Sequence, residues 1–372
     1  MSDHPRLSIV NASLARGGVG KMRVQLANRF LEHGLAVDFI LAETDSPYLK
    51  ALNPAARVLS LGTSNAITGV PRLAWYLRKE RPDAVLTQRI RLNVLAHRAR
   101  ALSGTHARLY ATLNTNLSAQ LKIMRPVKAR HQGDMMRRWY PRNDGLIAVS
   151  EGVRQDAAQL LSIPTQSIFL IRNPVVTADL SRKAEQALDD PWFAPGQPPV
   201  LLAVGRLEPQ KDYPNLLQAF AKLRVRRPCR LLILGEGALH EKLIGMGRDL
   251  GIDKDLRLGG FVDNPYPYMR ASAVYVLASR WEGSGNSLTE AVALGKPVVS
   301  TDCPDGPREI LMDGEYGKLV PMGDAEALAA AIGQSLDSPP DPDHVRQAAE
   351  RFRDERSALD YLRAMGFLEP TE

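Results

Sequence analysis

The stretch Ala278-Ser279-Arg280-Trp281-Glu282-Gly283-Ser284-Gly285-Asn286-Ser287-Leu288-Thr289-Glu290-Ala291 carries the densest chemistry in the chain. Glu282 and Glu290 stand with seven residues between them. Carboxylates so placed can accept hydrogen bonds from sugar and ribose hydroxyls. Gly283, Gly285 and the amides of Asn286, Ser287 and Leu288 can turn toward phosphate oxygens where a helix begins. Glu290 has a second reading, because Ser287-x-x-Glu290 also spells a capping box that needs no ligand; local chemistry leaves both open. Further upstream, Gly205-Arg206-Leu207-Glu208-Pro209-Gln210-Lys211 offers two cations on one loop. A guanidinium fork and an ammonium point charge can grip a diphosphate and stabilise its departure, or they can be plain solvated surface charges. Near the start, Ala15-Arg16-Gly17-Gly18-Val19-Gly20-Lys21 is glycine-rich. It is neither a Walker A loop, which needs Gly at Ala15 and Ser or Thr at Met22, nor a dinucleotide fingerprint, which needs Gly at Arg23. It reads as a close backbone approach to a phosphate or as a tight strand-to-helix turn.

These loops need elements to hold them. Leu7–Val10, Val37–Leu41, Ala84–Thr87, Arg108–Ala111 and Leu146–Val149 read as buried strands, with amphipathic segments such as Met22–His33 and Leu73–Lys79 between them. The alternation starts again at Pro199 with Val200–Val204, Leu231–Leu234, Ala273–Leu277 and Pro297–Ser300. Such alternation predicts parallel sheets wrapped by helices. The expected class is α/β, with two Rossmann-like doubly wound domains facing across a cleft and ligands at the carboxyl ends of the strands. The expected division is a first domain over 1–175, a linker over 176–198 containing most of the Pro/Gly-rich run 189–199, a second domain over 199–343, and C-terminal helices over 344–372. A chain of 372 residues with 44% apolar and 24% charged residues suits two folded domains.

The order of motifs resembles the large retaining glycosyltransferase family 4, whose fold is GT-B. The likeness rests on Glu282-x7-Glu290, Gly205-Arg206-Leu207 with Lys211, Leu217-x-Ala219-Phe220, Leu234-Gly235-Glu236-Gly237, Gly260-Phe261, Gly295-Lys296-Pro297-Val298-Val299 and Gly306-Pro307-Arg308-Glu309. The first half is similar through Gly17-Gly18, Leu26-Ala27, Val149-Ser150 and Asn173-Pro174. The resemblance implies that Arg206 and Lys211 hold the donor diphosphate, that Glu282 touches donor-sugar hydroxyls, and that Glu290 binds the ribose. It implies that Gly17 and Gly18 approach the phosphate or sugar, that Phe261 and Val262 flank the base, and that the last helices return to the first domain. It also implies retention at the anomeric carbon, by same-face attack assisted by the leaving phosphate, with no protein nucleophile. Many relatives carry a His where Asn114 stands; an amide does not titrate near neutrality but can hydrogen-bond a sugar hydroxyl. Ser284 replaces the bulkier apolar residue often found after Glu-Gly.

The expected activity is transfer of a hexosyl or N-acetylhexosaminyl group from a nucleotide-sugar, UDP preferred, to a saccharide or lipid-linked acceptor in polysaccharide, lipopolysaccharide or glycolipid synthesis. The alternatives are a nucleotide-sugar 2-epimerase of the same fold and a non-catalytic polyanion- or membrane-binding relative. The 7 histidines show no ligand spacing and the 2 cysteines no cluster, so no metal and no cofactor is expected, the nucleotide-sugar being a substrate. Asp253-Lys254-Asp255 precedes a strand and reads as a solvated loop. Residues 1–180 carry a net charge of +13 and residues 181–372 a net charge of −6. A basic half suits an anionic partner. Residues 120–142 mix Leu121, Ile123, Met124, Val127, Trp139 and Tyr140 with Lys122, Arg125, Lys128, Arg130, Arg137 and Arg138. That mixture fits an interfacial helix on anionic lipid, or an ordinary surface helix. Without the recognition modules of RNA binders, nucleic acid is not an expected partner. The polar start, the lack of a long apolar run and the cysteine usage predict a cytoplasmic protein, peripheral at the inner face of the plasma membrane.

Overall fold

Short runs of Val, Ile and Leu with no polar alternation can be buried only between two layers of helices, and they become parallel strands. The computed structural model describes residues 4–14, 18–63 and 65–369. The chain forms two units, Met1–Pro174 with Asp354–Glu372, and Val175–Arg353.

The first unit runs β1 (Arg6–Asn11), α1 (Gly18–Glu32), β2 (Ala36–Leu41), β3 (Arg57–Ser60), α2 (Ala66–Glu80), β4 (Ala84–Gln88), α3 (Ile90–Ser103), β5 (Arg108–Leu113), α4 (Leu117–Lys122), α5 (Pro126–Trp139), β6 (Gly145–Ala148), α6 (Glu151–Leu161) and β7 (Ile168–Leu170). Its seven strands are parallel in the order β3-β2-β1-β4-β5-β6-β7. Side chains alternate between the faces. Ile9, Phe39, Leu86 and Tyr110 meet Val24, Leu26 and Phe30 of α1. Val10, Ile40, Val85 and Leu109 meet Leu73, Leu77, Leu92 and Leu95 of α2 and α3. Asp38 lies on the second face, almost fully buried, where Arg57, Arg6 and the Tyr76 hydroxyl bond its carboxylate. Burial pushes that carboxyl up, but the bonds from Arg57, Tyr76 and Arg6 outweigh it and hold it below the usual range.

The second unit runs α7 (Leu180–Ala184), β8 (Val200–Val204), α8 (Tyr213–Arg226), β9 (Arg230–Leu234), α9 (His240–Asp249), β10 (Leu256–Leu258), α10 (Tyr266–Ala271), β11 (Val274–Leu277), α11 (Asn286–Ala293), β12 (Val298–Thr301), α12 (Pro307–Ile310), β13 (Lys318–Val320), α13 (Ala325–Asp337) and α14 (Pro342–Gln347). Its six strands are parallel in the order β10-β9-β8-β11-β12-β13. The last helix, α15 (Asp354–Ala364), belongs to the first unit. Its Ala358, Tyr361 and Leu362 close the α1 side of the first sheet, and Arg29 Nε bonds Asp354 at 2.9 Å.

Two sequence expectations about connections need correction. Residues 176–198 are docked rather than free. Asn264 Nδ2 donates to Lys183 O at 2.8 Å and to Gln186 Oε1 at 2.7 Å, and the Arg257 guanidinium pairs with Asp190 and lies 4.3 Å from the Trp192 ring centre. Residues 344–372 do not move as one block. Val345, Ala348 and Phe352 are buried within the second unit, and Phe352 O accepts the amides of Val175 and Val176. The chain changes units after Arg353. Residues 120–142 are likewise two helices, because Pro126 opens α5 and cannot continue α4.

Candidate functional site

The second sheet's order places the loops after β10, β9, β8, β11 and β12 side by side along one edge. Backbone approach fixes the first of them. Gly235, at φ +146°, lies so close to the end of β8 that a Cβ there would sit 2.1 Å from Gly205 O. Only glycine tolerates both conditions. Gly235 N–H also donates to Gly260 O at 2.7 Å, which sets Phe261 and Val262, both half-buried, just beyond β10.

The loops after β8 and β11 are joined by polar bonds. Arg280 N–H donates to Gln210 O at 2.8 Å, Gln210 Nε2 to Trp281 O at 2.9 Å, and Arg280 Nε to the buried Asp212 carboxylate at 2.9 Å. Asp212 adopts φ 45°, ψ 42°, a left-handed turn that an aspartate tolerates. These bonds seat Lys211 Nζ 2.6 Å from Glu282 Oε1. Ser279 Oγ donates to the same oxygen at 2.6 Å. The Lys211 and Glu282 side chains are only 15% and 8% exposed, so their attraction is far stronger than that of a surface pair. Beneath them, burial first and the neighbouring Glu282 charge second push the Cys303 thiol up. Burial alone dominates the rise of the Tyr213 phenol. Neither is poised as a nucleophile.

Arg206 shares this loop but does not join the pair. Its side chain is 62% exposed and its Nη1 bonds Glu208 Oε1 at 2.7 Å. Glu290 is not a cap. Gly285, at φ +67°, takes the N-cap position of α11, which makes Ser287 the second and Glu290 the fifth helical residue. Glu290 Oε1 accepts the Tyr266 hydroxyl at 2.8 Å. The Tyr275 phenol is raised by burial and then by the charges of Glu290 and Glu282, so both carboxylates act on one buried ring. The Leu288 amide is turned inward, donating to Gly285 O at 2.9 Å, and its side chain is core. Asn286 and Ser287 form the first turn of α11 ahead of it. Ser284 Oγ is buried without a partner, and a Cβ at Gly306 would meet Ser284 C at 2.9 Å, so the loop after β12 presses on this turn. Sequence reading missed Ser279, Asp212, Arg280 and Tyr266; the Asp212–Arg280 partners lie 68 residues apart and Tyr266 lies 24 from Glu290.

In the first unit Gly17 lies outside the described residues. Gly18 is exposed as the first residue of α1. Asn114 follows β5, half-buried, with its Nδ2 buried and unpartnered.

Two family models match the chain in succession. "Glycosyltransferase Family 4" covers residues 16–179 and "Glycosyl transferases group 1" covers 185–352. The chain belongs to the family 4-like glycosyltransferases. It is 32% identical over 209 residues to the N-acetylgalactosamine-N,N'-diacetylbacillosaminyl-diphospho-undecaprenol 4-alpha-N-acetylgalactosaminyltransferase of Campylobacter jejuni, covering 56% of this chain and 54% of that one, so the match spans about half the length of this relative. It is 29% identical to the lipopolysaccharide core biosynthesis glycosyltransferase LpsE of Rhizobium meliloti, over 59% of this chain and 71% of that one. The fold is also that of Anabaena HepE solved with UDP and glucose, at TM-score 0.79 and 18% identity, over 98% of this chain and 100% of that one. In this family 4-like glycosyltransferase, the two-domain GT-B architecture expected from the sequence is present, with seven and six parallel strands.

Proposed function

We propose that this chain transfers a sugar, with retention, from a UDP-sugar to a saccharide or lipid-linked acceptor in cell-surface glycan synthesis. The observation that carries the reading is the buried Lys211–Glu282 pair beside the N-terminus of α11. A departing nucleoside diphosphate builds negative charge as the bond from the anomeric carbon to its oxygen breaks. Lys211 and the first amides of α11 lie where that charge can be met. Arg206, exposed on the same loop, exchanges Glu208 for phosphate. Released from Lys211, Glu282 accepts donor-sugar hydroxyls, while Glu290, steadied by Tyr266, accepts those of the ribose. The acceptor hydroxyl attacks the same face that the leaving group quits, and its proton passes to the leaving phosphate oxygen. Cationic side chains and a helix end serve where other transferases use a metal, so turnover is expected to survive EDTA.

The acceptor class follows the relatives, one named for a diphospho-undecaprenol substrate and one for lipopolysaccharide core synthesis. A membrane surface suits α5, which exposes Val127 at 86% along with Lys128, Arg130, Arg137 and Arg138. No helix among the described residues is long and apolar enough to cross a membrane. Flotation on vesicles with and without anionic lipid tests the surface; equal recovery rejects it. The central test is a thermal-shift panel of UDP-, GDP- and ADP-sugars. A UDP-sugar is expected to raise the melting temperature of the wild type and not of Lys211→Ala. Donor turnover without an acceptor would instead favour the epimerase.

A further inference from the structure

The first unit buries a charge that forms no ion pair among the described residues. Arg23, from α1, is 3% exposed. No hydrogen bond of good geometry reaches its terminal nitrogens, although the Tyr361 hydroxyl lies close enough to favour its charge, and it forms no ion pair among the described residues. Asn11 Oδ1 and Asn114 Nδ2 are buried and unpartnered as well. Strand alternation puts Asn11 and Thr112 on the face that α1 and α15 cover, and Arg23 projects from α1. Ile9 and Tyr110 point to the α1–α15 side, so Asn11 and Thr112, two residues further along β1 and β5, point there too, at the carboxyl edge of the sheet. The Thr112 hydroxyl lies 3.5 Å from that of Tyr361 on α15, and Tyr361 is the neighbour that favours the charged form of Arg23 against its burial.

A guanidinium stays protonated at neutral pH, and burying it without a counter-ion is costly. Water can satisfy its N–H groups but cannot neutralise it. The five groups present a cationic fork, an amide donor at Asn114, an acceptor at Asn11 and two hydroxyls. Asn114 is only half-buried, so the end of β5 has access to the surface.

We propose that Arg23, Asn11 and Asn114 form an oxyanion-binding chamber that holds a phosphate or carboxylate on the acceptor. Arg23 takes two oxygens of the anion, Asn114 Nδ2 a third, and Asn11 Oδ1 an adjacent ligand hydroxyl. The word acceptor rests on the function proposed above; the binding of an anion does not. This makes the preferred acceptor an acidic saccharide end rather than a neutral one.

The test uses the full chain, with inorganic phosphate and acetate each compared with chloride at matched ionic strength. Melting temperature and titration calorimetry are read for the wild type, Arg23→Met, Asn114→Asp and Lys211→Ala. Phosphate, acetate or both are expected to stabilise the wild type and Lys211→Ala. Arg23→Met is expected to lose that shift, and to melt a few degrees higher without ligand because the buried charge is gone. Asn114→Asp, which supplies an internal carboxylate, is expected to weaken anion binding at least tenfold, and it carries the test should Arg23→Met fail to fold. UDP is expected to stabilise Arg23→Met as well as it does the wild type. An anion shift that survives in both Arg23→Met and Asn114→Asp, or one absent from the wild type, overturns the chamber. Loss of the UDP shift from every protein overturns the donor site instead, and leaves the chamber standing.

Discussion

The two units use the same strand-helix alternation, yet they treat polar groups at the carboxyl edge of their sheets in opposite ways. In the second unit the charged groups are paired, Lys211 with Glu282, Asp212 with Arg280 and Glu290 with Tyr266, while Ser284 Oγ stays unpartnered. In the first unit Arg23, Asn11 and Asn114 are left open. A self-satisfied edge must break bonds to take a ligand, so it binds only what replaces them in kind. An open edge binds by relief of a cost already present. On the function proposed above, the paired edge is built for discrimination and the open one for capture.

Lys211→Ala strikes the paired edge hardest. Loss of roughly a thousandfold in kcat/KM is expected, about 4 kcal/mol, as for removal of one transition-state charge partner. It also strands the buried Glu282, so the double variant with Glu282→Gln is expected to regain stability without regaining activity; a double variant no more stable than Lys211→Ala would break the claim of a mutually dependent pair. Leu362→Ala in α15 is expected to cost about 3 kcal/mol. The loss should fall on the first unit alone, seen as one of two calorimetric transitions moving.

Acid should separate the units next. His97 is buried on α3, and burial first, then the charges of Arg100 and Arg142, bring its imidazole down to about 4. A folded value below the ordinary 6.5 means the unfolded chain binds the proton first. The first unit therefore keeps its full stability above pH 6.5 and loses about 2 kcal/mol as pH falls toward 4. His97→Gln is expected to flatten that slope; an unchanged slope would place the titration elsewhere. The smallest effect is Tyr266→Phe, which removes one neutral hydrogen bond to Glu290. A rise in donor KM of about fivefold, near 1 kcal/mol, with kcat unchanged is expected.

Much of this architecture was readable from residue patterns, for a physical reason. Central strands such as Val200–Val204 are buried on both faces and so are written in unbroken apolar letters. The four strands not anticipated, β3, β7, β10 and β13, are the four sheet edges. They are three or four residues long and partly exposed, as in Arg57–Ser60, so they carry no such signature. Glu282 and Glu290 were legible because they share one loop and the helix that follows it. Their settings were not. Ser287 and Glu290 have the letters of a cap, but Gly285 at positive φ takes that place. Arg23 served only to exclude a dinucleotide fingerprint, since nothing local shows that an arginine on α1 will be buried.

The return of α15 to the first sheet has a consequence for synthesis on the ribosome. Leu7, Ile9 and Phe39 emerge before the second unit, but the Tyr361 and Leu362 side chains that pack with them are made only after it. The second unit, contiguous from Val175 to Arg353, is complete before its predecessor can be. Nascent chains therefore carry a greasy, half-clad sheet while the whole second unit is being made, the interval in which a chaperone would find a hold.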